Sequence, residues 1–157
     1  MSTTLVAIAL ALHALAAVVW VGGMAFAYAF LRPVAASALD RAARLDLWHG
    51  VFARFFPVVW AAALLLLATG YLLVFAAFGG FANVGVHVHV MHGLALVMVA
   101  LFAHVYFAPW RRFRQALDGA NHDLAAEALD RIRRFIALNL TLGLLVVVVG
   151  ASGRYWG

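Results

Sequence analysis

The sequence predicts an all-α integral membrane protein: a four-transmembrane-helix, up-down bundle with both termini periplasmic and the fourth helix extended into the cytoplasm. Three observations carry that expectation. First, 68% of the 157 residues are hydrophobic and 11% are charged, whereas soluble domains run near half apolar and a quarter charged. Second, four apolar runs are long enough to cross a hydrocarbon core of ~30 Å, which takes roughly 20 residues of helix. Third, the charges are segregated. All six acidic residues and ten of the eleven basic ones fall between Arg32 and Arg54 or between Arg111 and Arg134, with Arg154 the exception. Every base is arginine, and there is no cysteine. A soluble globule, a disordered chain and a disulfide scaffold are thereby excluded. The net charge of +5 sits beside apolar runs, so it speaks for a membrane interface and against nucleic acid. The lipid bilayer is the expected partner.

The spans are expected at about 5–31, 55–81, 84–110 and 136–151, within one domain, 1–157. Hydrophobicity is nearly all-round, so run length decides and periodicity says little. The first run lacks a basic n-region and exceeds a signal-peptide core, so it reads as a mature helix. The connection 32–54 follows it, with four arginines. The second and third spans meet at a short uncharged turn around Gly79–Gly80. The connection 111–135 carries six arginines. Basic loops stay cytoplasmic, which puts both termini and the Gly79–Gly80 turn on the periplasmic side of a bacterial inner membrane. In the second basic connection, Asn121 is suited to cap a helix with Asp123 in its first turn. Glu127–Arg131 and Asp130–Arg134 have i,i+4 spacing. One helix is therefore expected from about His122 through the fourth span.

Seven histidines stand in this apolar chain, and ionisable groups inside a span mark functional sites by default. His13 lies five residues to the periplasmic side of the first span's centre, and His92 five residues to the same side of the third's. At 1.5 Å per residue both lie about 7–8 Å from mid-span. Two imidazoles at one level on diagonal helices are the arrangement for axial ligands to haem iron. Ala16, Ala17, Ala95 and the Gly22–Gly23 pair would leave room for a flat ring, and Trp20 would wall it. His104 falls on the cytoplasmic side, roughly 18 Å from the level of His13. A second haem between His49 and His104 is an open alternative.

The run His87-Val88-His89-Val90-Met91-His92 admits a different metal, because imidazole and thioether suit copper. Haem and copper thus compete for His92. Asn139 and Thr141 are expected to bond across helices, and Pro57 to kink the second span. The spans hold no Asp or Glu, which counts against a carboxylate-driven pump. No nucleophile–base–acid set and no phosphate loop is present.

Leu12-His13, Trp20-Val21-Gly22-Gly23-Met24 and Leu31-Arg32-Pro33 in the first span resemble the CopD-like (copper resistance D) family of bacterial inner-membrane proteins. They also resemble the related HemJ family of four-helix, haem-b-binding protoporphyrinogen oxidases. Pro57 and Thr69-Gly70 are similar to those families' second span, and the Tyr/Phe-rich sequence at His104 lies where HemJ proteins carry a Tyr-His pair. The resemblance implies haem at His13 and points to His104, where depth alone points to His92. HemJ proteins open the third span with a lysine and follow the asparagine with glutamate. Here there is no lysine, and Leu140 follows Asn139. The CopD likeness implies copper handling.

The leading expectation is a haem-b-containing redox protein with His13 and His92 as ligands to the iron. It would act in electron transport or as a membrane oxidoreductase on a small or lipophilic donor. Its electrons would pass to a quinone or to a membrane or periplasmic redox partner, and a homo-oligomer is compatible with this. The alternatives are a copper-binding or copper-transport protein using His87, His89, Met91 and His92, and a structural subunit of a membrane complex.

Overall fold

Where apolar residues surround a helix on all sides, side-chain size decides which helices approach. The computed structural model describes residues 2–156. It contains α1 (Thr3–Phe26), α2 (Arg32–Ala38), α3 (Arg41–Ala76), α4 (Val86–Phe107), α5 (Pro109–Asp118) and α6 (His122–Ser152), with short 3-10 turns at Phe81–Asn83 and Gly153–Tyr155. Four helical stretches, Thr3–Ala38, Arg41–Ala76, Val86–Asp118 and His122–Tyr155, are long and apolar enough to cross a membrane. The protein is a multi-pass, all-helical membrane protein.

The helices run well past the apolar spans. α1 passes into α2 through a π turn, Ala27–Leu31, in which the Arg32 N–H bonds the Ala27 carbonyl. Pro33 explains the widening: its ring would strike the carbonyl four residues back, and a π turn just upstream moves it aside without ending the helix. The 32–54 connection is helical except at Leu39–Asp40, and the Asp40 carboxylate caps α3 by accepting from the Ala43 N–H at 2.9 Å. α3 continues through Pro57. At the other basic connection Ala108 leaves helical geometry (φ −113°, ψ −81°), as a residue before proline tends to, and Pro109 opens α5. Ala120 (φ 52°) makes the turn into α6. There the Asn121 side chain accepts from the Leu124 N–H at 3.0 Å. Glu127 pairs with Arg131 at 2.8 Å. Asp130 takes Arg133 at 3.0 Å, not the expected Arg134, and Arg41 reaches across to Asp123 at 2.5 Å.

α1 packs along α3, and α4 and α5 pack along α6, with α1 also touching α6. α1 and α4 are therefore diagonal. Between α3 and α4 the gap is filled by rings. Phe102 lies 5.5 Å from Phe56, 5.1 Å from Trp60 and 6.1 Å from Trp20, and Trp110 is 5.4 Å from Phe56. Edge-to-face pairs like these are worth about 0.5–1.5 kcal/mol each beyond the area they bury.

This core is lopsided. Its buried members run from Ala16 to Met24 on α1 with Ala27 in the π turn, Leu45 to Ala63 on α3, Met98 to Phe113 on α4 and α5, and Ala125 to Ile132 on α6. All but Ala16 lie on the arginine-rich side of mid-span. In the opposite half, among the described residues, the buried hydrophobic and polar side chains are Ala9, Ala16, Thr69 and Val74.

Candidate functional site

His13 projects from α1 toward α3, where Gly70 leaves space for its ring. Its Nδ1 lies 2.8 Å from Thr69 Oγ1. The Thr69 hydroxyl in turn donates to the Leu65 carbonyl at 2.6 Å. A hydroxyl has one hydrogen, and here it is committed to Leu65, so Thr69 can only accept from His13. That assignment makes Nδ1 the protonated nitrogen of the imidazole and Nε2 the one that carries the lone pair. Thr69 is buried, while His13 is half-buried within an apolar span.

His92 meets the same turn of α3 from the other side. Its Nε2 is 3.5 Å from the Tyr71 hydroxyl, and its ring lies 5.3 Å from Tyr71 and 5.1 Å from Phe81. Thr69 and Tyr71 are two residues apart, so the contacts of His13 and His92 fall within one turn of α3, on its opposite sides.

The remaining sequence-selected residues are dispersed. His89 is exposed and faces Phe81 at 5.8 Å, on the His92 side. His87 and Met91 turn the other way. His87 packs so closely on Gly153 that no Cβ would fit there, and Met91 packs on Gly150. The run from His87 to His92 therefore splits into two faces, because successive helical positions diverge by about 100°. Among the described residues, no group of three or more His, Cys, Asp or Glu is placed to hold a metal ion. His104 is exposed, 4.9 Å from Phe135, whereas His49 stacks on Trp110 at 5.4 Å. The two rings engage different neighbours.

Some expectations need correction. The Phe55 ring fills the space beside Gly23, while Gly22 has nothing within 4 Å, so Gly23 admits a ring from its own chain. Trp20 is buried against Phe102, below the His13 level. It lines a cavity of about 20 Å³ with Met24, Phe55, Ile136 and Asn139, room for about one water. The buried Asn139 Oδ1 has no partner, and the Thr141 hydroxyl bonds back to the Ala137 carbonyl at 3.0 Å. Neither bonds across helices. Thr69 as partner of His13 and Tyr71 as neighbour of His92 were not found by sequence reasoning. A hydroxyl in an otherwise apolar span was the available signal.

The sequence model of one protein family, described as Copper resistance protein D (CopD), matches residues 49–152. The chain belongs to the CopD family. No curated protein and no solved structure matches it. The CopD match begins at His49, so it includes His87, His89, His92 and His104 and leaves His13 outside. Membership marks the chain as a copper-resistance-related membrane protein.

Proposed function

We propose that this CopD-family chain is a haem-b-binding redox protein of the membrane, in which His13 and His92 would hold the iron. The observation that supports the reading is the His13–Thr69 hydrogen bond, which leaves Nε2 as the lone-pair nitrogen, two residues along α3 from the Tyr71 that His92 meets. A ligating histidine oriented through its other nitrogen is the usual arrangement around metal centres.

The fit to this group rests on two further features. The two imidazoles flank one turn of α3 from diagonal helices, and they stand in the half of the bundle where few side chains are buried. Interiors are close-packed, so a broad apolar ring suits that half better than a bare ion, which calls for several converging donors. Haem, when bound, supplies one-electron chemistry. The chain's residues do the remaining work. Thr69 fixes the His13 tautomer, Tyr71 and Phe81 position the His92 ring, and the aromatic layer around Phe102 closes the far side against water. The donor would be small or lipophilic, and the acceptor a quinone or a redox partner in or beside the membrane.

Family membership favours a second reading, in which the protein binds or moves copper through His87, His89, Met91 and His92. That reading requires the two faces of α4 to be reconciled.

The visible spectrum and metal content of the purified protein separate the two. A Soret band with the reduced α-band of b-type haem is expected, and His13→Ala or His92→Ala should each abolish the low-spin spectrum while His104→Ala leaves it. A colourless protein carrying stoichiometric copper would overturn the haem reading. Loss of the spectrum with His104→Ala and not with His92→Ala would move the second ligand to His104.

A further inference from the structure

Three arginines converge where the bundle leaves its apolar spans. Arg32 directly follows the first apolar run, and Arg133 stands three residues before the fourth, so both lie at one membrane face. The π turn Ala27–Leu31 packs on α6, which brings Arg32 to that helix. The Arg133 guanidinium stands 5.7 Å over the Trp48 ring. Arg44 is four residues before Trp48, hence on the same side of α3. Repulsion from Arg32 and Arg44 accordingly reaches Arg133.

The local charge is poorly balanced. Asp130 pairs with Arg133. Arg32 leans over the Tyr28 ring at 5.0 Å, and neither Arg32 nor Arg44 has a carboxylate partner among the described residues. Two buried donors also lack acceptors: Arg133 Nε and Trp48 Nε1, the latter on a side chain only 2% exposed. Like charges held together beside unpaired donors are what a bound anion relieves. Guanidinium groups match phosphate oxygens in pairs, and phospholipid headgroups occupy the level at which apolar spans end.

We propose that Arg32, Arg44 and Arg133, with Trp48 beneath them, form a binding site for the phosphate group of an anionic membrane phospholipid.

Native mass spectrometry of the purified full chain, supplied with phosphatidylglycerol or phosphatidylcholine, tests this. Wild type should retain one phosphatidylglycerol and no phosphatidylcholine. Arg44→Gln and Arg133→Gln should each lower occupancy roughly fivefold, the effect of one basic residue at an anionic surface. Arg44 is half-buried and unpaired, so its variant tests the site even if Arg133→Gln folds poorly. Arg112→Gln, on α5, should leave retention unchanged. Equal retention of both lipids, or the same loss with Arg112→Gln as with Arg44→Gln, would overturn the proposal. So would phosphatidylglycerol binding indifferent to Arg44→Gln. If inorganic phosphate alone raises the melting temperature of wild type but not of Arg44→Gln, and no lipid is retained, the site takes free phosphate and the lipid assignment fails.

Discussion

Replacing Thr69 by valine keeps the side chain's shape and removes one oxygen, which makes it the sharpest probe of the His13 arrangement. That oxygen accepts from His13 Nδ1 at 2.8 Å in a position only 6% exposed. Without it the Nδ1–H loses its closest acceptor, and orphaning a buried donor costs at most about 1–3 kcal/mol, less to the extent that the Leu66 carbonyl takes its place. For a chain of this size roughly 2–4 °C of melting temperature is lost per kcal/mol. The tautomer is also released, and loss of an outer-shell partner lowers metal-centre affinity by about 10–100-fold. Thermal unfolding in detergent and titration with the cofactor read the two effects separately, and Thr69→Ser should restore both. A double-mutant cycle with His13→Ala isolates the pair, since residues in contact couple by about 0.5–3 kcal/mol. If Thr69→Val melts and binds as wild type does, or if the cycle shows no coupling, the tautomer argument is wrong.

Gly23→Ala places a methyl against the Phe55 ring and should cost about 1–3 kcal/mol of stability. Phe55→Leu should recover most of it, and Gly22→Ala, which meets open space, should melt as wild type. Phe102→Ala removes the ring shared by Trp20, Phe56 and Trp60, with an expected loss of about 3–5 kcal/mol and of the aromatic circular-dichroism signal. Arg41→Ala breaks an exposed ion pair with Asp123 and should cost at most about 1 kcal/mol, less in high salt. For orientation, membrane-impermeant labelling of intact cells should modify Gly80→Cys and spare Asp118→Cys, and the reverse pattern would invert the topology.

Run length and charge placement were enough to find four spans, because the bilayer sets their minimum size. They did not reveal how far the helices continue. Residues 41–54 look like a charged connection, yet Leu45, Trp48 and Phe52 recur at helical spacing and bury one face of α3. The Glu127–Arg131 pair was legible because it is local. Asp130 chose Arg133 over Arg134 because Arg133 lies over Trp48 on another helix. The site was read as residue types and depths, and His13 and His92 meet one turn of α3 from opposite sides. Their partners were not, since a helix that is apolar all round carries no mark of which side meets which neighbour. Only packing shows that Thr69 faces His13, that Phe55 occupies the space at Gly23, and that His87 turns away from His92.

The uneven distribution of rings also divides the molecule mechanically. Hydrogen exchange should be slowest along α3 between Leu45 and Ala63, where large side chains interlock, and faster toward Ala76 and the start of α4, where burial is sparse. Regions with few buried contacts open at lower free energy than the whole fold. A bundle clamped at one end and free to breathe at the other can admit a bulky guest sideways from the lipid without unfolding. The aromatic end then serves as the hinge, and under the proposed function cofactor loading would be a late step on an already folded chain.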